Sequence, residues 1–213
     1  MRDDAPKQLQ REAPLLHDAP AMILVAITPE QIVTDEAAKV TMLLDGGFAT
    51  VHLRHPEADE AEMRRLIESI PARLHPRLRL HDHHRLANEY ATGVHFNGRN
   101  PIIAGCRHSA SASCHTIAEV QTAPEWLDYV TLSPVYSSIS KRGYLGVFTP
   151  GTDLRHTIAG RRVVALGGVT PSHLPELADS GFYGAAMLGA IPWTEPLGHM
   201  NHFLTTISQC YNS

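Results

Sequence analysis

The sequence predicts a single (β/α)8 barrel, the TIM-type architecture of the α/β class. Three observations carry that prediction. Short apolar runs end repeatedly in polar or glycine-rich bursts: Ile23-Leu24-Val25-Ala26-Ile27 meets Thr28-Pro29, Val130-Thr131-Leu132 meets Ser133-Pro134, and Val163-Val164-Ala165-Leu166 meets Gly167-Gly168. Stretches with helical spacing of apolar residues alternate with these runs, which implies parallel strands joined by crossover helices. The main alternative, an open doubly wound sheet, lacks its glycine fingerprint after the first run. In such a barrel the chemistry gathers at the carboxyl ends of the strands, so the polar bursts are the residues to examine.

The elements follow in order. Residues 1–21 mix charges of both signs with three prolines and show neither strand nor helix period. They are expected to form a flexible extension ahead of a barrel over 22–213, with Met22 as an alternative natural start. Strands are expected at 23–28, 49–53, 77–82, 92–96, 108–113, 128–133, 162–167 and 184–188. Helices are expected at 35–44, at 60–70 (where Met63, Leu66, Ile67 and Ile70 share a face), and at 84–90, 116–122 and 149–158. Another is expected over 171–180, where Thr170-Pro171 is a cap followed by proline at the first helical position, and the last runs from 197 to 210.

Composition narrows the function. The chain has 213 residues, enough for one sizeable core. Its net charge of -4 and pI near 6.4 argue against general nucleic-acid binding. No apolar run approaches the roughly 20 residues of a membrane span. Three cysteines in no paired motif argue against a disulfide scaffold. A soluble protein of the reducing cytoplasm is expected.

Gly167 and Gly168 follow the seventh strand and Gly189 follows the eighth, where barrels commonly hold a phosphate on backbone N–H groups. The loop Ser133 to Lys141 follows the sixth strand; its Ser138, Ser140 and Lys141 suit a polyanionic ligand. Histidines crowd the strand ends: His52, His81, His83, His84 and His95. His81 and His83, two apart with Asp82 between them, are expected on one side of a strand. That set could bind Zn²⁺ or Fe²⁺. With no paired ligand motif beside them, simple polar lining of a barrel mouth is the preferred reading. Cys114 reads as packed and inert.

The order His52-Leu53-Arg54, Leu80-His81-Asp82, Gly93-Val94-His95-Phe96, Ser113-Cys114-His115-Thr116, Asp128-Tyr129-Val130 to Lys141, and Ala165-Leu166-Gly167-Gly168 resembles the thiamine-phosphate synthase family, which includes the TenI-type thiazole tautomerases. The resemblance covers about Met22 to Pro192. It implies one of two activities on a thiazole phosphate. A synthase couples an aminopyrimidine diphosphate to it and releases diphosphate with Mg²⁺; Arg54, Asp82, Ser138, Ser140 and Lys141 match that site. Pro56 stands where a lysine is expected, His81 where an asparagine is, and Asn100 where a second aspartate is. A tautomerase needs a phosphate anchor and a general acid/base, with no metal, and His115 falls where that branch places its catalytic histidine.

The expectation from sequence is therefore a tautomerase somewhat ahead of a synthase. His115 is the acid/base, Gly167, Gly168 and Gly189 hold the phosphate, and Arg54 meets the substrate carboxylate. Asp82 is the Mg²⁺ ligand if the chain is a synthase. A non-catalytic scaffold binding thiazole or thiamine phosphate is the third reading, and a homodimer is possible.

Overall fold

The computed structural model describes residues 22–136, 154–158 and 160–211. Eight parallel strands close into a barrel in sequence order. They are β1 (Ile23–Ile27), β2 (Thr50–Leu53), β3 (Leu78–Leu80), β4 (Gly93–Phe96), β5 (Ala110–Cys114), β6 (Tyr129–Leu132), β7 (Val163–Ala165) and β8 (Gly184–Met187). Closure is made by β1 on β8, with Ile23 opposite Gly184 and Ala26 opposite Met187. Each expected strand is present within a few residues of its expected bounds.

The helices are α1 (Glu36–Asp45), α2 (Glu60–Ser69), α3 (Leu86–Tyr90), α4 (Ile117–Thr122), α5 (Leu174–Asp179) and α6 (Gly198–Tyr211). Local chemistry sets their starts. Asp59 caps α2 and Thr116 caps α4, each in a reciprocal box with Glu62 or Glu119 three residues on. Met63, Leu66 and Ile67 turn inward from α2 as their spacing requires. Thr170-Pro171 opens a 3₁₀ turn, Pro171–His173, that leads into α5. No helix among the described residues is long and apolar enough to cross a membrane.

Half of the helix expected over 149–158 falls outside the described residues. Its described part, 154–158, forms a single turn, closed by the Ile158 N–H on the Leu154 carbonyl. Leu154 and Ile158 are both buried, so their spacing marks two anchors of a turn, and Gly160 at φ 76° redirects the chain. Residues 149–153 lie outside the described set, as do 1–21.

Alternation along the strands gives the barrel two surfaces. Leu24, Ala26, Val51, Leu53, Leu80, Val94 and Phe96 belong to the large core beneath the helices. The interior is divided. Val25, Ile27, Val164 and Ala186 make an apolar cluster with Tyr129, while β2 to β6 contribute buried Thr50, His52, Arg79, His95, Ser111 and Thr131. Arg79 crosses the lower barrel to Asp128, 3.0 Å away. Gly93 makes room for it: a Cβ there would lie 2.4 Å from Arg79 Nη1 and 2.5 Å from the Ser109 carbonyl.

Candidate active site

The loop glycines differ in what they do. Gly167 has φ 93° and Gly168 φ 67°, a left-handed pair that L side chains rarely adopt. A Cβ on Gly167 would come within 2.8 Å of Pro134 Cα, because the β6 and β7 loops are laced together. Val135 N–H donates to the Leu166 carbonyl at 2.8 Å and Tyr136 N–H to the Gly167 carbonyl at 3.0 Å. Gly189 faces open space, with nothing within 4 Å of an added Cβ. Among the described residues, the N–H groups of Gly168 and Gly189 donate to no other group. The Gly167 N–H likewise donates to no described group, and three free donors at adjacent strand ends suit an anion.

A cationic rim lies on the other side of the mouth, over β2 to β4. Arg54 is placed by its own backbone, whose N–H donates to Thr28 Oγ1 at 2.9 Å, and its guanidinium pairs with exposed Glu30 at 3.0 Å. Nearby lies a buried histidine–carboxylate hydrogen bond that sequence reasoning missed. His55 Nε2 is 2.7 Å from Glu36 Oε1, both essentially inaccessible, and tethers the loop after β2 to the start of α1.

Asp82 lies past β3 as expected. Arg99 donates to both its oxygens, Nη2 at 3.1 Å and Nε at 3.3 Å, and Asn100 Nδ2 adds a bond at 2.9 Å. Arg99 is a second missed residue; a lone arginine in a polar loop gives no signal until the loop after β4 is folded against Asp82. The charges of Arg54 and Arg99 both act on His81.

Mg²⁺ asks for hard oxygen ligands. Among the described residues the sole cluster of three or more histidine, cysteine or acidic groups is entirely histidine. Asp82 already accepts from a guanidinium and an amide, and Asn100 stands beside it instead of a carboxylate. The described residues therefore do not fit a Mg²⁺ site. Ser138, Ser140 and Lys141 lie outside the described residues.

His115 is exposed immediately after β5, its Nδ1 3.1 Å from the Ser133 carbonyl. A carbonyl only accepts, so Nδ1 is the donor in this bond. Cys114 beside it is buried, and desolvation pushes its thiol up to about 11, consistent with an inert packed thiol.

The expected pairing of His81 with His83 is corrected. β3 ends at Leu80, and His83 takes φ 53° and turns its Nε2 to the Ala58 carbonyl at 2.8 Å. His81 instead points into the barrel, where its Nε2 lies 2.9 Å from His52 Nδ1 and its ring stacks on His95 at 4.2 Å.

A closed parallel barrel with free glycine N–H groups at its β7 and β8 ends and the ion-paired Arg54 and Arg99 at its β2 and β4 ends defines a TIM-type α/β protein. Its family is shown by comparison. Residues 24–191 match the model of the thiamine monophosphate synthase family, and the chain belongs to that family. A thiamine-phosphate synthase of Methanococcus maripaludis is 24% identical over 172 residues, covering 76% of this chain and 83% of that protein. One of Synechococcus sp. (strain CC9605) is 34% identical over 99 residues, 46% of this chain, and the match spans only 28% of that longer relative. The crystal structure of thiamine phosphate pyrophosphorylase from Bacteroides thetaiotaomicron superposes with a TM-score of 0.76 at 29% identity, covering 90% of this chain and 98% of that one.

Proposed function

We propose that this chain is a transferase that joins an aminopyrimidine diphosphate to a thiazole phosphate and releases diphosphate. One observation carries the reading: free glycine N–H groups after β7 and β8 stand across the mouth from the guanidinium groups of Arg54 and Arg99. In an eight-stranded barrel the ends of β3 and β4 lie opposite those of β7 and β8. A reaction between two phosphorylated substrates needs both features, whereas an isomerase of one phosphate ester needs a single cradle. The names of the matched relatives support the same choice. The expected order of tautomerase before synthase is accordingly reversed.

In this reading the phosphate of the thiazole rests on Gly168 and Gly189. The diphosphate meets Arg54 and Arg99, which neutralise the charge that develops as its bond to the pyrimidine carbon breaks. Asp82 positions Arg99. The test is a coupled assay for thiamine phosphate and diphosphate. Wild-type protein should form both in equal amounts, and Arg99→Ala should raise KM for the diphosphate substrate at least tenfold while leaving thiazole phosphate affinity unchanged. Binding of thiazole phosphate without any product would support the scaffold reading instead.

The exposed place of His115 just after β5, with Nδ1 held on the Ser133 carbonyl, favours a second reading, thiazole tautomerisation. Under it His115→Asn should lower isomerisation by roughly 10²–10⁴-fold, and Arg99→Ala should have little effect. Turnover of the tautomer without any coupling would overturn the transferase proposal.

A further inference from the structure

Neither reading of the chemistry uses the three imidazoles at the floor of the mouth. His52 on β2, His81 just past β3 and His95 on β4 are buried to 0%, 6% and 1% exposure. Their ring centroids are 4.7 Å apart for His52 and His95, 4.2 Å for His81 and His95, and 5.1 Å for His52 and His81. One nitrogen from each lies within 4.8 Å of the other two. We infer that His52, His81 and His95 form a binding site for a borderline divalent transition metal of the Zn²⁺ type.

Three features of the surroundings suit this site. Two imidazole nitrogens on a tetrahedral zinc stand about 3.3 Å apart, given zinc–nitrogen bonds of about 2.0–2.1 Å. His52 Nδ1 and His81 Nε2 are 2.9 Å apart in a hydrogen bond, so these two rings have to part by a few tenths of an ångström and tilt toward a common point, and His95 has to swing inward. The ring nitrogens of His95 meet Ser111 Oγ at 2.8 Å and Ser113 Oγ at 2.9 Å. A serine hydroxyl donates or accepts, so either nitrogen can be released to a metal while the other stays bonded.

His52 also has an outer partner. Its Nε2 lies 2.5 Å from Tyr129 Oη. One proton lies between His52 Nδ1 and His81 Nε2 when both rings are neutral. If that proton is on His52 it moves to His52 Nε2 and is donated to Tyr129 Oη, and if it is on His81 it moves to His81 Nδ1; either tautomer shift frees both facing nitrogens without net proton release. Such an outer bond fixes tautomer and ring orientation at metal-bound histidines. Burial of all three rings disfavours their charged form. Three imidazoles leave a fourth position for water or a ligand oxygen.

The test uses the full chain, stripped with a chelator and titrated with Co²⁺ and then Zn²⁺. One equivalent of Co²⁺ should give the visible bands of a four-coordinate ion, Zn²⁺ should abolish them, and millimolar Mg²⁺ should not. His52→Asn and His95→Asn should each weaken Co²⁺ binding at least a hundredfold. His199→Asn/His202→Asn, which removes a histidine pair on the surface of α6, should leave it unchanged. If the barrel variants fail to fold, the wild-type spectrum and the α6 variant still decide. Absence of four-coordinate Co²⁺ bands in wild-type protein, or their loss in the α6 variant, would overturn the inference.

Discussion

Replacing Gly167 with alanine separates a glycine held by packing from one held open for a ligand. Two costs combine at this position. A left-handed backbone costs an L residue about 1–2 kcal/mol, and φ at Gly167 is 93°. The new methyl would also sit 2.8 Å from Pro134 Cα, a backbone atom fixed by two hydrogen bonds between the β6 and β7 loops. Overpacking of that kind costs typically about 1–3 kcal/mol. The total, about 2–5 kcal/mol, corresponds to a melting temperature lowered by on the order of 10 °C in a domain of this size. Gly189→Ala is the control, since its Cβ meets nothing within 4 Å and its φ is not left-handed. It should melt within about 1 °C of the parent. Gly189→Leu, filling the open space, should keep that stability but weaken thiazole phosphate binding at least tenfold. Calorimetry and isothermal titration read the two effects. An unchanged melting temperature for Gly167→Ala would refute the packing argument, and unchanged affinity for Gly189→Leu would remove Gly189 from the phosphate cradle.

Three further outcomes follow from the same geometry. Arg99→Ala should shift the melting temperature little, because a half-exposed ion pair contributes about 0–1 kcal/mol, so a large thermal loss would show that Arg99 serves the fold more than a ligand. Glu36→Ala should destabilise by about 1–3 kcal/mol, because the Val33 N–H and His55 Nε2 lose a buried partner; a denaturation midpoint equal to the parent's would show that Val33 and His55 find other partners. Cys114, with its thiol raised to about 11 by burial, stays protonated at pH 8. Iodoacetamide at that pH should leave Cys114 unmodified in the folded protein, and rapid alkylation found by peptide mapping would contradict its burial.

The strands were legible because each combines a local apolar run with an abrupt polar stop, and both signals survive without knowledge of partners. Ile23–Ile27 and Val163–Ala165 lie where their runs predict them. The cap pairs Asp59 with Glu62 and Thr116 with Glu119 are equally local, since three residues suffice to make them. The glycines after β7 and β8 are readable as a special feature, but the sequence does not divide Gly167, pressed on Pro134, from Gly189, facing open space. That difference arises where two loops meet.

The rest depended on closure of the barrel. His81 and His83 share a period of two, yet the strand stops at Leu80 and a left-handed His83 sends the two rings apart. His52, His81 and His95 come from three segments and meet because adjacent parallel strands bring His52 level with Arg79 and His95 level with Ser111, all facing the same interior. Asp82 and Arg99 are 17 positions apart and are paired by the fold of the loop after β4. By itself the sequence determined which residues form strands, which ends carry polar groups and which family they resemble, because those are properties of short segments. Only the tertiary structure decided which polar groups touch, because contacts between strand ends depend on register and loop geometry that no local pattern encodes.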